Sequence, residues 1–181
     1  MTLRLNECAL IVVDLQEKLL PKICDQEQLV KNCEWLARAA VKLDIPLLAC
    51  EQYPSGLGNT SLIIRQHISI DAIIEKTTFS AARDIIFTDR LAALNRKQVI
   101  LCGIEAHVCI LQTALDLKNM DYEVYVVADA IGSRNNTDKQ YSIQRMIQNN
   151  IFLLTKEMVV FECLEKSGTD LFKAMSKEFL K

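Results

Sequence analysis

The chain has 181 residues, half of them apolar, with 21 lysines and arginines against 23 aspartates and glutamates for a formal net charge of −2. Such a length fits one domain able to bury about 70% of the surface of an unfolded chain, with no need of disulfides or a structural metal. The even charge balance, with no basic run and no interleaved aromatics, argues against nucleic-acid and anionic-membrane partners and leaves a small molecule as the expected ligand.

Short β-rich apolar runs alternate with longer amphipathic stretches. Ala9 to Val13 reads as a first strand, followed by a helical pattern from Gln28 to Leu43. Pro46 opens a second strand, Leu47 to Cys50, and Tyr53-Pro54-Ser55-Gly56-Leu57-Gly58 reads as a loop. A helix from Ser61 to His67 leads to a third strand, Ala72 to Ile74, and a helix from Asp84 to Asn95 to a fourth, Val99 to Cys102. The pattern from His107 to Met120 is helical, Glu123 to Ala128 is a fifth strand, Asp138 to Asn149 a helix, and Ile151 to Leu154 a sixth strand. Helices Glu157 to Lys166 and Asp170 to Leu180 follow. Continuous apolar strands joined by helices specify an α/β three-layer domain, a six-stranded parallel sheet with helices on both faces. No repeat or Pro/Gly-rich linker divides it, so residues 1–181 form a single domain.

The seven cysteines (Cys8, Cys24, Cys33, Cys50, Cys102, Cys109, Cys163) are odd in number and show no C-x-x-C spacing, which reads as reduced thiols in a cytoplasm. Glu7 precedes any apolar run, and no run approaches the ~18 residues of a membrane span, so neither secretion nor insertion is expected.

Open parallel sheets bind ligands outside the carboxyl ends of their strands. The polar residues there are Asp14, then Glu51-Gln52-Tyr53, Glu75-Lys76, Glu105 to Cys109, and Asp129. Cys109 falls in the first turn of a helix, where unpaired N–H groups and the positive end of the macrodipole favour a thiolate and bind oxyanions. At 100° per residue Val108, Ile110, Leu111, Ala114, Leu115 and Leu117 gather on one side, with Cys109, Gln112, Thr113 and Asp116 opposite. A nucleophile therefore competes with a packed or inert thiol as the reading of Cys109. Asp14 alone reads as a strand-end carboxylate or helix cap, and Lys76 alone as a solvated charge. Together the three types fit, because a carboxylate can take the thiol proton while an ammonium balances charge. His107 points about 200° away from Cys109 and reads as a cap or pocket-wall residue. With His67 the only other histidine, no metal site is expected.

Leu10-Ile11-Val12-Val13-Asp14-Leu15-Gln16, Lys76-Thr77-Thr78-Phe79-Ser80 and Gly103-Ile104-Glu105-Ala106-His107-Val108-Cys109, followed by Gln112-Thr113-Ala114, resemble the isochorismatase-like cysteine hydrolase family. The likeness covers nearly the whole chain, and Glu51-Gln52-Tyr53-Pro54 with Asp129-Ala130 look like the subgroup of isochorismatase domain-containing proteins. The resemblance implies a sheet of order 3-2-1-4-5-6, a homo-oligomer, no cofactor, and Asp14, Lys76 and Cys109 as a catalytic triad. It implies a thioester acyl-enzyme formed on an amide-like substrate, an oxyanion held by the backbone N–H groups of Glu105 and Cys109, and a cis peptide at Ile104-Glu105. Leu15, Gln16, Glu51, Tyr53, Phe79 and His107 are expected to line the substrate pocket. Family members that hydrolyse nicotinamide carry an Asp-x-His and a further His after strand two, where this chain has Glu51-Gln52-Tyr53. Members that cleave an enol ether lack the nucleophilic cysteine. Both activities are therefore disfavoured, and a Glu105 carboxylate would repel anionic substrates unless it turns away or pairs. The expectation is a metal-independent cysteine hydrolase acting on a small amide-like C–N bond. Two alternatives are a binding or scaffold protein on the same fold, and a thiol redox protein using Cys109 with Cys50 or Cys102 nearby.

Overall fold

Cys8–Val13 is an unbroken apolar run, and all six of its residues are buried, as a strand must be when helices cover both faces of its sheet. This strand, β1, lies at the centre of a computed structural model that describes residues 2–180. The others are β2 (Leu47–Gln52), β3 (Ile73–Lys76), β4 (Gln98–Ile104), β5 (Glu123–Gly132) and β6 (Phe152–Leu154). They form one sheet of order β3-β2-β1-β4-β5-β6 with every neighbouring pair parallel, as expected.

Alternate side chains of the central strands enter two separate cores. Leu10, Val12, Ile100, Cys102 and Tyr125 face helices α1 (Gln26–Lys42), α7 (Lys156–Leu164) and α8 (Asp170–Phe179). Ile11, Val13, Val99 and Leu101 face α4 (Ile85–Ala93), α5 (Leu111–Asn119) and α6 (Asn136–Gln148). Each large aliphatic or aromatic side chain so buried contributes about 1.5–3 kcal/mol. Ile110, Ala114 and Leu117 are fully buried against the sheet, so this face is not available to a second subunit.

Four of the strands, β2 to β5, run past their expected carboxyl ends, while β1 gains Cys8 at its amino end and β6 is one residue shorter than expected. β2 continues through Glu51 and Gln52, and β3 is displaced to include Glu75 and Lys76. Glu51, Gln52 and Lys76 stay in the ladder because their polar atoms find partners there, as described below, whereas Glu75 is exposed. β5 also continues, but with a bulge: Leu101 pairs with Val126, whereas Gly103 pairs with Ile131. Asp129 sits in that bulge, its carboxylate accepting the Lys156 N–H at 2.9 Å at the start of α7, and its carbonyl accepting Asn32 Nδ2 at 2.6 Å. The segment expected as a loop contains one helical turn, α2 (Pro54–Leu57), while the expected helix from Ser61 shrinks to α3 (Leu62–Arg65).

Gly103 fixes how closely β4 approaches β1. It stands opposite Val13 with φ +120°, and a Cβ there would lie 2.0 Å from the Val13 carbonyl oxygen. Only glycine fits.

Candidate active site

Asp14 leaves β1 with φ 53°, a left-handed conformation that aspartate tolerates better than most residues, while its N–H donates to the Cys50 carbonyl at 3.0 Å. The turn drops its carboxylate under the loops, where only 1% of the residue is exposed. Lys76, at the end of β3, is 2% exposed. Its ammonium donates to Asp14 Oδ2 at 2.9 Å and Gln52 Oε1 at 2.7 Å, and lies 3.3 Å from the carbonyls of both Thr78 and Phe79. Lys76 is thus fully engaged. Two charges taken out of water are tolerable only when paired and hydrogen-bonded in this way.

Cys109 lies on a five-residue π turn, Ala106–Ile110, that precedes α5 and is closed by the Ile110 N–H donating to the Glu105 carbonyl at 3.2 Å. The extra residue shifts the helical phase, so Cys109 is not on the polar side expected from an α-helix. It is buried, 6% exposed, among Ala106 and Ile110. Thr113, also expected on the polar side, is fully buried, and its hydroxyl accepts the Ala81 N–H at 2.9 Å, anchoring the segment that follows β3.

The thiol lies beside the Asp14 carboxylate, close enough for each to perturb the other. Asp14 Oδ1 has no conventional hydrogen-bond partner among the described residues, whereas Oδ2 takes the ammonium. Burial raises the Asp14 pKa against the opposing pull of Lys76. Burial, and then the Asp14 charge, push the Cys109 thiol up to about 12, although the Lys76 charge and the Glu105 backbone N–H aimed at the sulfur act the other way. The resting sulfur is therefore a thiol and not the thiolate that a helix start suggests. Its proton has an acceptor next to it.

The peptide between Ile104 and Glu105 is cis. The Glu105 carboxylate makes a two-pronged pair with Arg134, Nε to Oε2 at 2.9 Å and Nη2 to Oε1 at 2.8 Å, and this contact holds its pKa below the usual carboxylate range. The pairing answers the repulsion expected of a carboxylate at this position. His107 contacts Ser133 Oγ through Nδ1 at 3.0 Å and approaches Asp138 at 3.9 Å, so its polar contacts are with the segment after β5.

The other expected pocket residues divide into two groups. Gln16 is fully buried, its amide donating to the carbonyls of Gln52 (3.0 Å) and Gly58 (2.6 Å) and accepting the Gln52 N–H (2.8 Å). Glu51 accepts the Thr60 N–H at 2.6 Å, and Leu15 is fully buried. All three belong to the frame beneath the site. Tyr53 and Phe79 instead remain 57% and 56% exposed on the loops that end β2 and β3. Arg134, Ser133 and Asp138 escaped the sequence reading, while Gln52 entered it only as a polar residue at a strand end and Thr113 only within the family-like stretch. Gln52 carried a signal, its place at a strand's carboxyl end, but the partners beyond β5 have no local one.

Cys50 lies near Cys109 and Asp14, whereas Cys102 faces the opposite core beside Cys33. The sheet therefore separates Cys102 from Cys109. Among the described residues, no three histidine, cysteine or acidic side chains gather as a metal-binding group, and no helix is long and apolar enough to cross a membrane.

A profile of the isochorismatase domain matches residues 8–158. Isochorismatase domain-containing protein 2 of Danio rerio is 36% identical over 173 residues, spanning 93% of this chain and 84% of that protein. A solved structure described as the MAR1 ribonuclease from Caenorhabditis elegans superposes with a TM-score of 0.93 at 35% identity, covering 100% of this chain and 93% of that one. The YcaC gene product of Escherichia coli, described as an octameric hydrolase of unknown specificity, shares the fold with a TM-score of 0.92 at 22% identity, covering 99% and 91%. With the profile and a relative of this identity both spanning most of its length, the chain belongs to the isochorismatase family and has that family's hydrolase fold.

Proposed function

We propose that this protein is a metal-independent cysteine hydrolase that cleaves a small amide-like C–N bond through a thioester, with Asp14, Lys76 and Cys109 as its catalytic residues. The observation that carries the reading is the buried Lys76–Asp14 pair, 2.9 Å between ammonium and carboxylate, set against a protonated Cys109. A carboxylate with one unpartnered oxygen and a thiol pushed up to about 12 are matched for one task, passing the sulfur's proton as the sulfur attacks.

In this reading Cys109 Sγ bonds to the carbonyl carbon while its proton moves to Asp14. The carbonyl oxygen takes the negative charge and accepts from the backbone N–H groups of Glu105 and Cys109. Asp14 then gives the proton to the departing nitrogen as the C–N bond breaks, leaving a thioester and a free amine. Water attacks the thioester with Asp14 as base, the carboxylic acid leaves, and the proton returns to sulfur. Lys76 keeps Asp14 ionised between these steps. Tyr53, Phe79 and His107 border the substrate, and Leu15, Gln16 and Glu51 hold the frame behind it.

The ribonuclease description of the Caenorhabditis elegans structure offers a second reaction. Against a polyanion stand the net charge of −2, the complete engagement of Lys76 and the mutual neutralisation of Glu105 and Arg134. An uncharged carbonyl compound fits this site better. The further reading is of a homo-oligomer in the cytoplasm, supported by the exposed Ile85 and Ile86 (71% and 58%) and by seven free cysteines.

The test is ammonia release from a library of carboxamides by the wild type and by Cys109→Ala, with intact-mass detection of an acyl adduct on the wild type. Release that depends on Cys109 is expected. Equal release by the two proteins discards the nucleophile, and no turnover or adduct across the library leaves the binding or scaffold reading.

A further inference from the structure

The carboxyl end of the sheet holds the triad, but the amino end holds a second thiol arrangement that the hydrolase reading does not use. Cys8, the first residue of β1, is fully buried. Its Sγ lies 3.1 Å from the Arg4 carbonyl and 3.6 Å from Gln98 Oε1. The Cys163 thiol of α7 lies in the same core beside this sulfur, close enough for each to perturb the other. The two segments are held in place independently, because Glu162, the neighbour of Cys163, accepts the Leu3 N–H at 2.7 Å. Cys163 also lines a surface cleft of about 470 Å³, together with Arg4, Asn6, Glu7 and Thr169. A reagent the size of water that enters this cleft meets Cys163, and the sulfur of Cys8 is the next one in.

We propose that Cys8 and Cys163 form a reversible dithiol–disulfide site that takes a peroxide as its oxidant, remote from Cys109. Cys8 Sγ, as thiolate, bonds to one peroxide oxygen and the O–O bond breaks. The hydroxide released takes the proton Cys8 gave up, and Cys8 becomes a sulfenic acid. The Cys163 sulfur then bonds to Cys8 Sγ and the S–O bond breaks. The second hydroxide leaves as water with the Cys163 proton. Two thiols and one hydrogen peroxide thus yield one disulfide and two waters.

The electrostatics agree with this order of events. The neighbouring Cys163 thiol holds Cys8 below its ordinary value despite burial, whereas Cys163 is pushed well up and Cys109 is pushed to about 12. Thiolate character sets peroxide reactivity, so Cys8 reacts ahead of the triad cysteine. The other close pair, Cys33 and Cys102, is fully buried inside the core that faces α1, which leaves it without such an approach.

The full chain is exposed to graded hydrogen peroxide, quenched, unfolded, alkylated and digested without reductant. Partial oxidation of Cys24, the most accessible of the seven cysteines, marks an effective dose. At or below that dose the proposal expects a Cys8–Cys163 cross-linked peptide, lighter by two hydrogens and cleaved by dithiothreitol, with Cys109 still alkylated. In Cys163→Ser, Cys8 is expected as a sulfenic acid that dimedone captures. The proposal is overturned if Cys8 and Cys163 are alkylated at the marker dose, if Cys8 is over-oxidised without a cross-link, or if Cys109 oxidises first. Should Cys163→Ser fail to fold, the wild-type peptide map decides alone.

Discussion

Replacing Lys76 with methionine removes the ammonium but keeps much of the stem. The Asp14 carboxylate then loses its charged partner at 2.9 Å, and Gln52 Oε1 loses a donor at 2.7 Å, both in a site where Asp14 is 1% exposed. Removing one member of a buried pair costs about 3–5 kcal/mol, because the survivor remains desolvated. The deficit depends on pH in a definite direction. Asp14 already sits above the ordinary carboxylate range through burial, with Lys76 as the main opposing influence, so without Lys76 its pKa climbs further. An acid whose folded-state pKa exceeds its unfolded one adds stability that is complete below the unfolded pKa and is lost as pH rises through the folded value. The Lys76→Met deficit is therefore largest at neutral and alkaline pH and narrows on acidification, as Asp14 becomes neutral. Urea unfolding of both proteins across pH measures the gap. The double variant Asp14→Asn/Lys76→Met is expected to regain much of the loss, since it leaves no orphaned charge. Ammonia release by Lys76→Met should fall by about 10²–10⁴, because a protonated Asp14 cannot receive the thiol proton. A gap that stays constant with pH, or a double variant no more stable than the single one, refutes the reasoning.

Three further outcomes are expected. Alkylation of Cys109 by iodoacetamide should be slow near neutrality and accelerate about tenfold per pH unit below its value of about 12; a rate already saturated at pH 7 means a resting thiolate. Gly103→Ala should destabilise the fold by at least about 2 kcal/mol in chemical denaturation, because its Cβ would meet the Val13 carbonyl at 2.0 Å with φ +120°. Arg134→Ala should cost about 1 kcal/mol at pH 7, discounted for the exposed guanidinium; because Glu105 is held low in the folded state, that cost should vanish as pH falls through its folded value, and a pH-independent loss would point to packing instead.

The sheet was readable from the alternation of apolar runs and amphipathic stretches because those runs are buried on both faces and carry no competing demand. The pattern stopped where function begins. Glu51, Gln52 and Lys76 continue their strands although polar, since the partners that make their burial tolerable come from segments distant in the chain. Asp14 and Lys76 could be singled out because each directly follows or ends a strand at its carboxyl edge, and Cys109 because it lies at the start of the helical pattern after β4. Their states could not. The phase of Cys109 depends on a single extra residue in a π turn, and its protonation on burial among neighbours, neither of which a periodicity encodes. Glu105 posed a charge problem in the sequence, and Arg134, its solution, lies beyond β5.

Gln16 has a consequence for how such a protein diversifies. Its amide stands in for a stretch of main chain, stitching the exit of β1 to Gln52 and Gly58, while Glu51 fastens Thr60. The excursion between those stitches, which Tyr53 opens and α2 fills, hangs from a closed base like a removable cassette. Its residues can be exchanged or lengthened without transmitting strain to the proton-handling group beneath, so new specificities can be explored there while the chemistry is inherited unchanged.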